Sequence, residues 1–339
     1  MSQLNLLVPN SELLESNNPI PKTDTSQLKS APLDFSSLIG QSIAHYLLSH
    51  AIATNRIAPA YLFAGPEGVG KDLAARIFSA QLLGTHQSLD NHPDLLIIEP
   101  TFQHQGKLVG SSMLEATEQK RKSPPCIRIE QIRELIQFLN YSAQIAPSKV
   151  ALVQEAHAMT PNAANALLKA LEELKNGTVI LLSSRPQQLL PTIVSRCQSI
   201  PFGRLNGNEM LAVMTNIGQA DILNDSVVLS LAAGSPGQAI AHFQQLQLIP
   251  QALLSRLISP PNEALAAMQL AKEVDTALEY HQQVWLLDYI QHSWWHRYHD
   301  VTLIEKVESA KTVLAKMVSS RLVWDTLLLP ANNKADKCC

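Results

Sequence analysis

Ala60-Tyr61-Leu62-Phe63-Ala64-Gly65-Pro66-Glu67-Gly68-Val69-Gly70-Lys71-Asp72 is the stretch that decides the architecture. Ala60 to Phe63 is a short apolar run of strand type that leads straight into glycines. Gly65 to Lys71 fits G-x-x-x-x-G-K, a loop whose backbone N–H groups cradle phosphates while the lysine reaches the outer ones. Leu73 to Leu83 then reads as a helix, completing the strand, loop and helix that the pattern requires. The eighth position departs from it: a Ser or Thr hydroxyl that ligates Mg²⁺ is expected, and Asp72 stands there. A carboxylate complements the positive end of a helix. Near a triphosphate it also repels, on the order of 1 kcal/mol in water and several times more in a partly dry site. The candidate nucleotide contacts are Gly65, Pro66, Glu67, Gly68, Val69, Gly70, Lys71 and Asp72. A tight turn that binds nothing is the competing reading, and weak ATP or ADP binding stays open.

Outward from the loop, the chain alternates strands and helices. Leu95 to Ile98, Val150 to Val153, Val179 to Leu182 and Ser199 to Phe202 read as further strands. Ile43 to Ala53 reads as a helix with Ile43, Leu47, Leu48 and Ile52 on one side, and Ile132 to Leu139 as another. A third has Thr160 as N-cap, Pro161 at its first position, a stripe of Ala164, Leu167, Leu168 and Leu171, and an end at Asn176-Gly177. This alternation predicts a mainly parallel sheet covered on both faces.

Polar residues at the strand ends carry the remaining candidate chemistry. Gln154 stands where a magnesium-holding Asp is expected, and Glu155 where a water-activating carboxylate sits, so Glu155 reads as vestigial. His157 reads as a packing histidine. Ser184, in Ser183-Ser184-Arg185-Pro186, is a candidate γ-phosphate sensor, with a plain turn as the alternative. Arg196, in Ser195-Arg196-Cys197, is either a surface ion-pair residue or an arginine finger for a neighbour's site. Residue types alone favour the ion pair.

The 339 residues suffice for two or three domains, and 46% apolar with 16% charged residues is ordinary globular composition. A net charge of −3 excludes a globally basic nucleic-acid binder but not a local basic patch. The start of the chain has no signal-peptide pattern, and no apolar run approaches the roughly 18 residues of a membrane span. Cys126, Cys197, Cys338 and Cys339 have no framework spacing and read as reduced thiols. Residues 1–34 are rich in Ser, Asn, Pro and Thr and read as a flexible arm. Thr101 to Pro125, with Lys107, Lys120, Arg121 and Lys122, reads as a polar surface loop. Asn208 to Ile217 and Val227 to Ala233 read as helices, Gln244 to Gln251 as a connection, and the chain from there to Leu329 as wholly helical. Trp285, Trp294, Trp295 and Trp324 are candidate packing anchors.

Several of these segments together resemble the clamp-loader branch of the AAA+ ATPases. The residues that carry the resemblance are Phe35 with Leu38-Ile39-Gly40-Gln41, Tyr61 to Pro66, Asn91-His92-Pro93-Asp94, Asn165 to Glu173, and Ser195-Arg196-Cys197. The resemblance implies an α/β AAA+ P-loop NTPase module with a parallel sheet over 35–204, a small helical lid over 205–245, and an all-α collar domain over 246–339. It implies that Arg196 acts in trans on ATP held by the adjacent subunit. Motor subunits of the branch carry a lid arginine after a Gly-Ser pair, and Gly234-Ser235-Pro236-Gly237 has glycine there. No zinc is expected, because Gly84 to Asp90 holds no cysteine where relatives insert a four-cysteine module. The implied protein is cytoplasmic, needs no cofactor and is largely non-hydrolysing. Its implied partners are a motor subunit of gamma/tau type, a delta-like subunit, a sliding clamp and, through the assembled complex, primed DNA; no membrane partner is implied. An ATP-hydrolysing motor subunit is the alternative, opposed by Gln154 and Gly237.

Overall fold

The computed structural model describes residues 34–85, 89, 91–104, 107–110, 125–174, 176–259, 261, 263–316 and 319–329. Five strands form one parallel sheet: β1 (Ala60–Ala64), β2 (Leu95–Ile98), β5 (Val150–Val153), β6 (Thr178–Ser183) and β7 (Gln198–Pro201), in the spatial order β2-β5-β6-β1-β7. Neighbours pair in register, with Tyr61 opposite Ile180 and Gln198, and Leu152 opposite Ile180. The central strands β5 and β6 are buried along their whole length and mostly apolar because both faces are covered.

The two-residue period of a strand sorts their side chains cleanly. Tyr61, Phe63, Leu152, Ile180 and Leu182 face α1 (Ser42–Ala53) and α2 (Lys71–Leu83). Leu62, Ala151, Val153, Val179 and Leu181 face α3 (Ile129–Asn140), α4 (Pro161–Glu173) and the single turn α5 (Pro191–Val194). Phe78 of α2 sets its ring edge-on to Tyr61, with centroids 5.0 Å apart. Thr160 caps α4 as its sequence predicts, accepting from the Ala163 N–H at 3.3 Å.

Four local expectations are corrected. Ile43 is exposed, and α1 instead buries Ala44, Leu48 and Ala51. The small alanines let the helix lie close to the sheet, a face that counting large apolar residues misses. The start of the Thr101–Pro125 excursion is an antiparallel hairpin of β3 (Thr101–His104) and β4 (Lys107–Gly110), not a loop. The basic cluster Lys120 to Lys122, the arm up to residue 33, and Cys338 and Cys339 lie outside the described residues. α4 leaves helical geometry at Leu174, so Gly177, at φ +89°, shapes the entry to β6 rather than the helix cap. Finally, Gln244 to Gln247 belong to the last turn of α8 (Pro236–Gln247) rather than to a connection.

The remaining helices are α6 (Gly207–Asn216), α7 (Ser226–Ala232), α9 (Gln251–Ile258), α10 (Ala264–Ala277), α11 (Tyr280–Tyr298), α12 (Val301–Ala315) and α13 (Ser320–Leu328). With α8 they share one apolar cluster running from Leu205 to Leu328. Trp294 and Trp324 are buried within it and keep their indole N–H groups satisfied, on the Leu257 carbonyl at 3.0 Å and on Gln283 Oε1 at 2.9 Å. Trp285 is half-buried and donates to His242, whereas Trp295 is exposed. No helix among the described residues is long and apolar enough to cross a membrane.

Candidate functional site

The glycine loop leaves the C-terminal end of β1, which lies between β6 and β7. Ligands of open parallel sheets bind outside that end of the strands. Within the loop, each backbone carbonyl already has a partner. Lys71 Nζ donates to the Gly65 carbonyl at 2.7 Å and to that of Pro66. Ser235 Oγ donates to the Glu67 carbonyl at 2.6 Å, and the Gly237 N–H to that of Gly68 at 2.9 Å. Gln41 Nε2 reaches the Val69 carbonyl at 3.2 Å, and the Ala74 N–H that of Gly70 at 3.0 Å. The lysine that would contact phosphate thus curls back onto its own loop. It is buried, which lowers its pKa against the opposing pull of Glu155 and Glu67.

Two of these partners, Ser235 and Gly237, sit at the start of α8. Gly68 has φ +73°, and a Cβ there would lie 2.6 Å from Ser235 Oγ. A Cβ on Gly237 would lie 2.7 Å from Gly68 Cα. Only paired glycines allow the two backbones this close. At the position where the resemblance implies a lid arginine, there is no room even for a methyl group without displacing the loop.

The two magnesium positions meet each other. Gln154 Nε2 donates to Asp72 Oδ1 at 2.8 Å, and Arg76 Nε to Asp72 Oδ2 at 2.7 Å. Both carboxylate oxygens are therefore engaged by N–H donors, and Gln154 turns a donor toward the space between the two side chains. Mg²⁺ requires oxygen ligands in a near-octahedral shell. This donor set does not fit it. Among the described residues there is also no cluster of three or more His, Cys, Asp or Glu side chains suited to a metal ion.

Glu155 adopts a left-handed backbone at φ +48°, a cost of about 1 kcal/mol or more that residues at functional sites often carry. Its carboxylate lies 3.2 Å from His157 Nε2, and His157 Nδ1 lies 3.4 Å from Ser183 Oγ. The Ser183 hydroxyl oxygen accepts from the Arg185 N–H at 3.2 Å. Burial lowers the His157 pKa and outweighs the raising influence of Glu155; Arg185 and Lys71 lower it further. Neutral His157 then donates from Nε2 to Glu155 and accepts at Nδ1 from Ser183. Ser183, which the sequence did not single out, is the member of the pair in this network. Half-buried Ser184 is not part of this network.

Arg196 lies apart from these groups. It follows α5 and precedes β7, whose first residue, Gln198, pairs with Tyr61. Tyr61 is four residues before Gly65, so the start of β7 is about 13 Å from the loop along the strand direction. Arg196 therefore sits at the opposite end of the parallel strands from its own phosphate loop. Its Nη2 pairs with Glu172 Oε1 at 2.7 Å, and its Nη1 donates to the Thr192 carbonyl at 3.1 Å. Next to it, burial pushes the Cys197 thiol up to about 11, which leaves it an unreactive neutral thiol.

A five-stranded parallel sheet in this order, a glycine loop feeding a helix after the first strand, and a helical region after the last strand define a AAA+ module of the P-loop class. A family model described as "DNA polymerase III, delta subunit" matches residues 40–206, and one described as "Cyanobacterial DNA polymerase III delta prime, C-terminal domain" matches 208–331. The chain is 36% identical over 198 residues to DNA polymerase III subunit delta' of Pseudomonas aeruginosa, covering 53% of this chain and 54% of that one. It is 28% identical over 222 residues to DNA polymerase III subunit tau of Bacillus subtilis, covering 63% and 38%. The chain thus spans about half, or less, of the length of these curated relatives. In fold it is similar to a DNA polymerase III gamma subunit-related protein of Thermotoga maritima, with a TM-score of 0.52, 17% identity, and coverage of 83% of this chain and 97% of that one. The chain belongs to the delta-prime family of DNA polymerase III clamp-loader subunits.

Proposed function

We propose that this chain is the fixed, non-hydrolysing member of a clamp loader: it supplies Arg196 in trans to ATP on a gamma/tau-like neighbour and helps load a sliding clamp on primed DNA during replication. A delta-like subunit completes the set of protein partners. The observation that carries the reading is the Asp72–Gln154 hydrogen bond, because it joins the two side chains that would otherwise hold magnesium. Lys71 on its own loop carbonyls and Gly237 against Gly68 point the same way. The site at 65–72 then holds nucleotide weakly or not at all, and Glu155 is vestigial. Residues 35–204 form the nucleotide-binding-like module, 205–245 the lid, and 246–339 the collar that joins the other subunits.

The position of Arg196 supports the trans role. It is remote from its own loop, exposed at the other end of the strands, and its planar, permanently charged fork suits transition-state charge on a phosphate. The test is steady-state ATP hydrolysis by the reconstituted loader with clamp and primed DNA. Arg196→Ala is expected to slow the assembly by about 10³-fold or more at the site it serves. Unchanged turnover at every site would overturn the trans role.

A further inference from the structure

We propose that Glu172 is a positioning residue for Arg196: its carboxylate holds one side of the guanidinium so that the remaining N–H groups face a neighbour's nucleotide. The inference rests on the trans reading of Arg196 given above. A guanidinium carries five N–H donors. One on Nη2 goes to Glu172 at 2.7 Å and one on Nη1 to the Thr192 carbonyl at 3.1 Å. Three donors are left, and 39% of the side chain remains open to solvent.

The support beneath this pair is rigid. Ile193 is fully buried, and the Ser195 and Arg196 N–H groups donate to the Pro191 and Ile193 carbonyls at 2.9 and 3.1 Å. Glu172 stands in the last turn of α4, a helix anchored on the sheet by Ala163, Ala164 and Leu167. One tether is thus a backbone carbonyl, and the other springs from a helix packed on the sheet. A long arginine loses rotamer freedom when it docks on a phosphate, and one ordered beforehand loses less at that moment. Glu172 touches neither nucleotide nor reacting atoms, so its effect passes through Arg196.

The experiment is ATP turnover by the assembled loader carrying Glu172→Ala, Glu172→Gln, Arg196→Ala or the Glu172→Ala/Arg196→Ala pair. Glu172→Ala is expected to lower kcat about fivefold with KM for ATP unchanged, the scale of a surface ion pair expressed as a rate. Glu172→Gln, which keeps an acceptor for Nη2, is expected to lose less. In the Arg196→Ala background, Glu172→Ala is expected to add nothing, because the two residues act as one unit. If Arg196→Ala slows turnover while Glu172→Ala leaves it unchanged or raises it, the positioning role is overturned and the finger stands. If Glu172→Ala lowers turnover equally in both backgrounds and lowers the unfolding temperature, its role is structural and the inference is overturned. If Arg196→Ala has no effect, the trans reading itself falls.

Discussion

Replacing Gly237 by alanine probes the contact between α8 and the phosphate loop. In a free helix the change is favourable, by about 0.5–1 kcal/mol, since alanine loses less backbone entropy than glycine. Here the new methyl would stand 2.7 Å from Gly68 Cα and 3.1 Å from the Gly68 carbonyl oxygen. Ordinary carbon–carbon contact is about 3.5–4.0 Å, so α8 and the loop must separate by about 1 Å. That movement stretches the Gly237–Gly68 hydrogen bond of 2.9 Å and the Ser235–Glu67 bond of 2.6 Å, each worth about 1 kcal/mol net. With the strain of overpacking included, the expected net destabilisation is about 1–3 kcal/mol. At about 2–4 °C per kcal/mol, the unfolding temperature should fall by several degrees. Amide exchange should quicken at residues 65–70 and 235–240. Gly207→Ala is the control: it opens α6, and nothing lies within 4 Å of its added methyl, so it should be neutral or slightly stabilising. A Gly237→Ala chain as stable as the control, with unchanged exchange, would refute the claim that the loop anchors α8.

Three further outcomes are expected. Asp72→Ala and Gln154→Ala should each cost about 0.5–1 kcal/mol in chemical denaturation, discounted because Asp72 is partly exposed; the double variant should cost less than their sum if they bond to each other. Asp94 is buried; burial acts to raise its pKa, but the Gln144, Ile145 and Ala146 N–H groups, at 2.7–2.8 Å, and His92 hold it below the usual carboxylate value. A depressed folded-state pKa means its contribution is present above the unfolded value near 3.8 and lost as pH falls through the folded value; Asp94→Asn should therefore cost about 2–3 kcal/mol at pH 7, and the gap to wild type should narrow below pH 4. Trp324→Phe should cost about 2–3 kcal/mol in thermal unfolding, because it strips the buried Gln283 Oε1 of its indole donor as well as apolar contacts.

The sheet was legible because most of its strands carry unbroken apolar runs, and the cap of α4 because Thr160 and Pro161 act on their own neighbours. Those signals are local. What was not legible depends on packing or on distant partners. Ile43 looked like part of a buried stripe, yet the close approach of α1 selects Ala44 and Ala51. Ser183 and Ser184 are adjacent and chemically alike; only the pleat of β6, which puts Ser183 beside His157, separates their roles. Gln41 joins the Val69 and Gly203 carbonyls, the latter 162 residues away, and no periodicity encodes that. Asp72 and Gln154 were each readable as a departure from a motif. Their hydrogen bond, which turns two departures into one local arrangement, required the fold.

The measurement that tests the central claim most directly is titration calorimetry of the isolated chain with ATP, with and without Mg²⁺, followed by an assay for released phosphate. With Asp72 bonded to Gln154, the expected result is weak or absent binding that magnesium does not strengthen, and no turnover. Tight binding that depends on Mg²⁺, accompanied by hydrolysis, would contradict it and make this chain a motor with unusual magnesium ligands.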